Sequence, residues 1–396
     1  MKLTTPLRAL TATSLITLSA CGGSSGSGDN STRDDDSAAG GSSPTLLTDN
    51  SWSAGQDRIL GLSYGGTKDK PIISMLKAKP VTGQDGDAFS FQSVIYPQTE
   101  FNETHAIDNL NDRQDYQEFD IIDGYVIACQ DGNNSTGYEQ ATKLHIWQRD
   151  TPDKVATLQL RDIGNNFVLR DCNSLDAHFT QGNSTAMAAQ VYVVGYSEPV
   201  GTGYGGDRLV RVEMTIDTTK AIIDDGAISF SSGSKQAAAQ SLYQANPGDS
   251  LDAVAAHWND VYFFRYDDND AYNSLYYLNA APNNSTPVVV SQSVNDVFAG
   301  MDQRMSVKDM TLVKGVNNHD LIYLVSDDDV PGIAVAGYRP FVNVPALELA
   351  KTSDTLAQRC SDAITANPKN GRGQKMWCYD STDAGKIIEL PAPVYP

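Results

Sequence analysis

The sequence predicts an all-β fold, a β-propeller-like repeat of about five to seven small antiparallel sheets. Three observations carry it. Short apolar strands recur about every 60–70 residues. Each is followed by a loop rich in Gly, Asp and Asn, then a second strand, a polar turn and a third strand. Helix signals are few, and the best of them, Lys235 to Tyr243, is short. A large β-sandwich is the alternative, because two packed sheets also space their strands this way.

The first strands are "RILGL" from Arg58, "GYVIA" from Gly124, "QVYVV" from Gln190, "DVYFF" from Asp260 and "LIYLV" from Leu321. The second strands are "IISML" from Ile72, "KLHIW" from Lys143, "RLVRV" from Arg208, "SLYYL" from Ser274 and "KMWCY" from Lys375. Third strands follow turns such as "QRDTPDK" and "DSTDAGK", whose Asp, Pro, Gly and Thr suit hairpin connections. Read this way, the last unit carries an insertion at about residues 341–374.

The first twenty residues are a separate matter. Lys2 and Arg8 precede a mostly apolar run, Ala9 to Leu18, of the length of a signal-peptide core and too short to span a bilayer. Leu18-Ser19-Ala20-Cys21 closes it. Charge, apolar core and tetrapeptide in this order resemble the lipobox of bacterial lipoproteins. That resemblance implies cleavage before Cys21 and acylation, palmitate included, of the new N-terminus. A sulfur is needed because a thiolate is the nucleophile that accepts the diacylglyceryl group, and several acyl chains at one point anchor stably where one does not. In Gram-negative lipoproteins an Asp after the cysteine directs retention in the inner membrane; Gly22 implies the outer membrane. Residues 1–20 are then the signal peptide and 21–47 a disordered Gly/Ser/Asp tether that includes Asp34-Asp35-Asp36. Residues 48–396 remain as one propeller-like domain.

The formal net charge of −20 argues against nucleic acid and anionic lipid surfaces as partners. In an exported, oxidising compartment the four remaining cysteines pair, and neighbours along the chain give Cys129–Cys172 and Cys360–Cys378. Cys360 lies in the apparent insertion and Cys378 on the strand after it, an independent reason for that pair. No CxxC and no nearby His supports a zinc site instead.

Two strings imitate catalytic motifs. Gly61-Leu62-Ser63-Tyr64-Gly65 reads G-x-S-x-G, but the nucleophile elbow needs a helix next and Pro71 leads into a strand, so it is a strand end and turn. Gly201-Thr202-Gly203-Tyr204-Gly205-Gly206 reads G-x-G-x-x-G, but "DRLVRVEM" alternates as a strand does, so it is a hairpin loop. His105, His145, His178, His257 and His319 form no HxH or HExxH spacing. His319 and Asp320, adjacent on a strand, point to opposite faces.

Two acidic loops suit Ca²⁺, the one cofactor the sequence offers. Asp267, Asp268 and Asp270 lie in "RYDDNDAYNS" and Asp327, Asp328 and Asp329 in "VSDDDVPG", hard oxygen donors on turns without the EF-hand pattern. Tyr204, Tyr266, Tyr272 and Trp258 stand in or near the acidic and Gly-rich loops, where an aromatic ring packs between blades or, alternatively, stacks on a sugar or anchors a protein. Lipobox, tether and a propeller of this length resemble, in plan, the outer-membrane lipoprotein propellers of the barrel-assembly machinery, the BamB type. That family's Trp- and Gly-bearing repeat is not visible, so no residue is carried over. With no nucleophile, metal centre or cofactor loop, the expected function is a non-catalytic binding or assembly module of the cell envelope, with an envelope protein or glycan as partner. The enzyme alternative is a propeller glycosidase or lyase with paired carboxylates in its channel.

Overall fold

The computed structural model describes residues 45–391, except 68–69, 81–86, 96–97, 102, 107–115, 133–140, 184, 202, 268–271, 282–285, 293–306, 317–318, 327–329, 340–346, 353 and 368–374. Cys21 and the expected signal peptide lie outside them.

Six antiparallel sheets succeed one another along the chain. The first holds β2 (Arg58–Thr67), β3 (Lys70–Pro80), β4 (Asp87–Ile95) and β5 (Glu103–Ala106). The second holds β6 (Tyr116–Ile122), β7 (Tyr125–Gln130), β8 (Lys143–Gln148) and β9 (Thr151–Gln159). The third is larger: β10 (Phe167–Leu169), β11 (Ser174–Gly182), β12 (Ala186–Pro199), β13 (Gly206–Asp217), β14 (Ile228–Phe230) and β15 (Gln240–Gln244). The fourth holds β16 (Ser250–His257), β17 (Asp260–Asp267), β18 (Tyr272–Asn279) and β19 (Val288–Gln292). The fifth holds β20 (Asp309–Val316), β21 (His319–Val325), β22 (Ile333–Tyr338) and β23 (Leu347–Lys351). The sixth joins β24 (Cys360–Ala366), β25 (Lys375–Asp380) and β26 (Lys386–Pro391) to β1 (Leu46–Thr48).

Strands β2, β6, β11, β16, β20 and β24 touch in cyclic order, and β24 returns to β2. The fold is therefore a six-bladed propeller with these six strands around a central channel. The first described strand closes the ring: Leu46, Leu47 and Thr48 pair with Ile388, Ile387 and Lys386 at the outer edge of the last blade. The expected tether, drawn to residue 47, thus ends earlier, because Leu46 and Leu47 hold apolar side chains that the sheet buries or half-buries.

A blade cannot cover its own faces, so each covers its neighbour's. Six apolar cores result, one between each adjacent pair of sheets. Alternation along each strand feeds two cores at once. In β12, Val191 and Val193 enter the core shared with the second blade, while Tyr192 and Val194 enter that shared with the fourth.

The repeat was legible but out of register. "GYVIA", "QVYVV", "DVYFF" and "LIYLV" fall in β7, β12, β17 and β21, the second strands of their blades; only "RILGL" falls in a channel strand. Second strands are covered on both faces and read as continuous apolar runs, whereas channel strands carry polar residues. "KMWCY" is the second strand of a sixth blade rather than of the fifth. Residues 341–374, expected as an insertion, hold β23 and β24, the last strand of one blade and the channel strand of the next. Lys235 to Tyr243 is not a helix: its end is β15, paired with β13. Both expected disulfides are present: Cys129–Cys172 links the second blade to the segment before β11, and Cys360–Cys378 links β24 to β25.

Candidate functional site

The channel strands all begin at one mouth and end at the other. The narrow mouth, a cavity of about 490 Å³, is lined from every blade, with Arg58, Glu118, Asn173, Asp252, Lys308 and Asp362 among its residues. The wide mouth, about 700 Å³, takes Tyr64, Asp120, Asp176, His178, His257 and Leu312 from the far ends of the same strands.

Four carboxyl groups that no motif announced stand along the channel: Glu118 and Asp309, buried, and Asp120 and Asp176, half-buried at the wide mouth. Each is committed to its neighbour. Asp120 accepts from Ser63 Oγ at 2.5 Å, from its own blade's Ile121 N–H at 2.7 Å, and from Ala177 N–H of the third blade at 3.0 Å. Asp176 accepts from Ala256 N–H of the fourth blade at 2.6 Å. Asp309 accepts from Met310 N–H at 2.6 Å and from Ile364 N–H of the sixth blade at 2.8 Å. Ser63 and Ser174 do the same with hydroxyls, accepting from Ile121 N–H at 3.0 Å and Val254 N–H at 3.3 Å. The geometric reason is simple. Channel strands of adjacent blades lie side by side without a ladder between them, so their N–H groups need side-chain acceptors.

Burial pushes all four carboxyls upward, Glu118, Asp176 and Asp309 well upward with repulsion from the neighbouring acids adding to it, while hydrogen bonds hold Asp120 back. A hydrogen bond between the two carboxyls holds Asp176 up and Asp120 down. Burial also raises Asp252, at the narrow mouth, and Asp207, which accepts from Leu251 N–H, to about 6. Burial drives His178 down to about 3, with the neighbouring His257 helping, and His257 itself is lowered by burial. Both rings are neutral at physiological pH. His178 Nε2 is buried without a hydrogen-bond partner, 3.5 Å from Asp176 Oδ1.

The G-x-S-x-G string sits inside β2, not at a strand end. A Cβ at Gly61 would stand 2.5 Å from Glu118 Oε1, and one at Gly65 would stand 3.3 Å from the Ile121 side chain. The string is therefore a stripe of small residues that lets β6 approach, with Ser63 bonded to Asp120. The G-x-G-x-x-G string is a hairpin loop as expected, between Pro199 of β12 and Gly206 of β13. His145 lies mid-strand in β8, bonded to Gln130 Oε1 at 2.8 Å and lowered to about 4 by burial. Asp320 is buried, accepting from Tyr262 and Lys314.

Of the proposed calcium ligands, Asp267 ends β17 and pairs with Arg265 at 3.0 Å. Asp268, Asp270, Asp327, Asp328 and Asp329 lie outside the described residues. Among the described residues, no group of three or more His, Cys, Asp or Glu is arranged to hold a metal. The aromatics divide between the two faces. Tyr204, highly exposed in the β12–β13 connection, and Tyr266, near the end of β17, lie on the narrow side, while Trp258 turns the chain between β16 and β17 on the wide side. Phe179, which the sequence did not single out, stands exposed at the wide mouth on the bulge that ends β11. A signal existed: an Asp placed two or three residues before an apolar or aromatic strand end, in "YQEFDII" and "SLDAHF", is unfavourable in a strand unless something holds it.

No protein-family model and no curated protein matches this chain. Solved structures similar to it share little sequence. Drosophila Semaphorin 1b, extracellular domains 1–2, is 11% identical with a TM-score of 0.36, over 67% of this chain and 62% of that one. The chain thus spans less than two thirds of that semaphorin fragment. The BP39L lectin from Burkholderia pseudomallei is 10% identical with a TM-score of 0.40, over 85% of this chain and 98% of that one. The GH43_1 enzyme from Xanthomonas citri, complexed with xylotriose, is 9% identical with a TM-score of 0.38, over 84% and 87%. At these identities and scores none of them transfers a function to this chain.

Proposed function

We propose that this chain is a non-catalytic binding module of the cell envelope, held to the outer membrane by lipid on Cys21, that takes its ligand in the wide mouth of the channel. The observation that carries the reading is how the channel acids are used. Asp120 and Asp309 each accept two or more backbone N–H bonds, and Asp176 accepts one while bonding Asp120 directly. A glycosidase pair instead needs carboxyls about 5–9.5 Å apart, to admit the sugar or a water between them. Asp120 and Asp176 touch, which favours a clamp over an acid–base couple. The wide mouth, by contrast, leaves Phe179 in solvent, and exposed Trp258 stacks on His257 of its lining.

The test is affinity purification from gently solubilised membranes with the anchor kept, comparing the natural chain with Phe179→Ala/Trp258→Asn. A stoichiometric companion or ligand lost in the double variant supports the reading. Hydrolysis of an offered oligosaccharide, abolished by Asp176→Asn, overturns it in favour of the enzyme. The anchor is checked separately: labelled palmitate should enter the natural chain and not Cys21→Ala.

A further inference from the structure

We propose that the ligand of the wide mouth is an uncharged saccharide, whose ring face lies on Trp258 and Phe179 and whose hydroxyls reach the imidazoles of His178 and His257. This rests on the binding reading above and names its ligand class.

Trp258 is the strongest observation. It sits in the two-residue turn from His257 to Asp260 with φ of 57°, in the left-handed region. The matching turn of the second blade uses Asp123 and Gly124, with φ of 46° and 83°, the residue types such turns favour. A bulky aromatic there is an outlier that costs conformational energy, and strain of this kind gathers at functional sites. The indole gains little burial in return, being 57% exposed. Yet it is fixed: its plane stacks on His257 with centroids 5.4 Å apart and 10° between planes, and its carbonyl accepts from Tyr192 Oη at 2.6 Å. His257 in turn meets His178 edge to face at 5.7 Å. An aromatic row thus runs from exposed Trp258 through His257 to His178, and the last two line the mouth, with His178 Nε2 buried 3.5 Å from Asp176 Oδ1.

The lining disfavours anions. His178 and His257 are lowered by burial and neutral, while Asp120, Asp123 and Asp176 supply its acids, Asp120 and Asp176 being bonded to each other. The cation of the lining, Arg149, pairs with Asp150 at 3.1 Å. Neutral imidazoles beside an exposed indole match a sugar ring, which carries hydroxyls at its edge and C–H groups on its face. The net charge of −20 repels polyanionic glycans. A cavity of about 700 Å³ is large enough for two or three sugar units.

The experiment titrates the full chain with neutral oligomers of glucose, xylose, galactose and N-acetylglucosamine, with their uronate counterparts, and with a Trp-Phe dipeptide amide, following tryptophan fluorescence. A saturable change with at least one neutral oligomer is expected, at least tenfold weaker for its uronate form. Trp258→Asn should fold with equal or higher Tm, because Asn tolerates the left-handed turn, and should weaken binding at least tenfold. A stable Trp258→Asn that binds as the natural chain does overturns the proposal. Saturation by the dipeptide alone overturns the saccharide class and keeps the binding mouth; no response to any probe, with companions unchanged in the double variant, overturns both.

Discussion

Asp176 of β11 shares a hydrogen bond with Asp120 of β6 and accepts one, at 2.6 Å, from the amide of Ala256 in β16, so one side chain ties three consecutive blades. Its proton is part of the fold. The native chain holds that proton at pH values where the unfolded chain, with an Asp near 3.9, has released it. Stability from this group is thus complete below about pH 3.9 and lost as pH rises through the raised native value. Asp176→Asn keeps a donor and an acceptor but cannot titrate. Its Tm should gain on that of the natural chain as pH rises from 5 to 9; parallel curves would show that no shared proton exists.

Asp309 joins the fifth blade to the sixth through Ile364 N–H. Asp309→Ala strands two buried donors, at about 1–3 kcal/mol each, so a loss of about 2–6 kcal/mol is expected in urea denaturation. Asp309→Asn should lose less, because its amide oxygen still accepts. Equal losses would place the effect in packing rather than in the N–H bonds.

The two disulfides should differ in worth. Cys129–Cys172 spans 43 residues and Cys360–Cys378 spans 18. Loop-closure entropy then gives about 4 and about 3 kcal/mol. Paired Cys→Ala variants, compared by denaturation at fixed pH, should rank in that order, the more so because the first bridge crosses between blades and the second stays within one.

Ring closure depends on a three-residue strand. Leu47 is fully buried in the core between the last and first blades. Leu47→Ala should cost about 2–4 kcal/mol, and proteolysis should then cut first within residues 45–57. Cuts first elsewhere, at unchanged Tm, would mean that β1 does not hold the ring.

What the sequence by itself determined is local. Alternation, turn residues and a regular spacing of apolar strands define sheets and their repetition, because strand pairing between neighbours along the chain is a short-range matter. The cysteine pairs follow for the same reason: each joins segments close in sequence. Which strand lines the channel was not readable. The second strands, buried on both faces, are the loudest signal, and the channel strands are quieter because they alternate polar and apolar residues. The tertiary structure alone decided the number of blades, since β1 and β26 are 338 residues apart at the Thr48–Lys386 contact. It alone brought Glu118, Asp120, Asp176 and Asp309 together from three blades, and set His178 of β11 against His257, on which Trp258 stacks. Side chains that meet only when a ring closes leave no spacing in the chain, so their chemistry becomes visible only once the sixth blade has met the first.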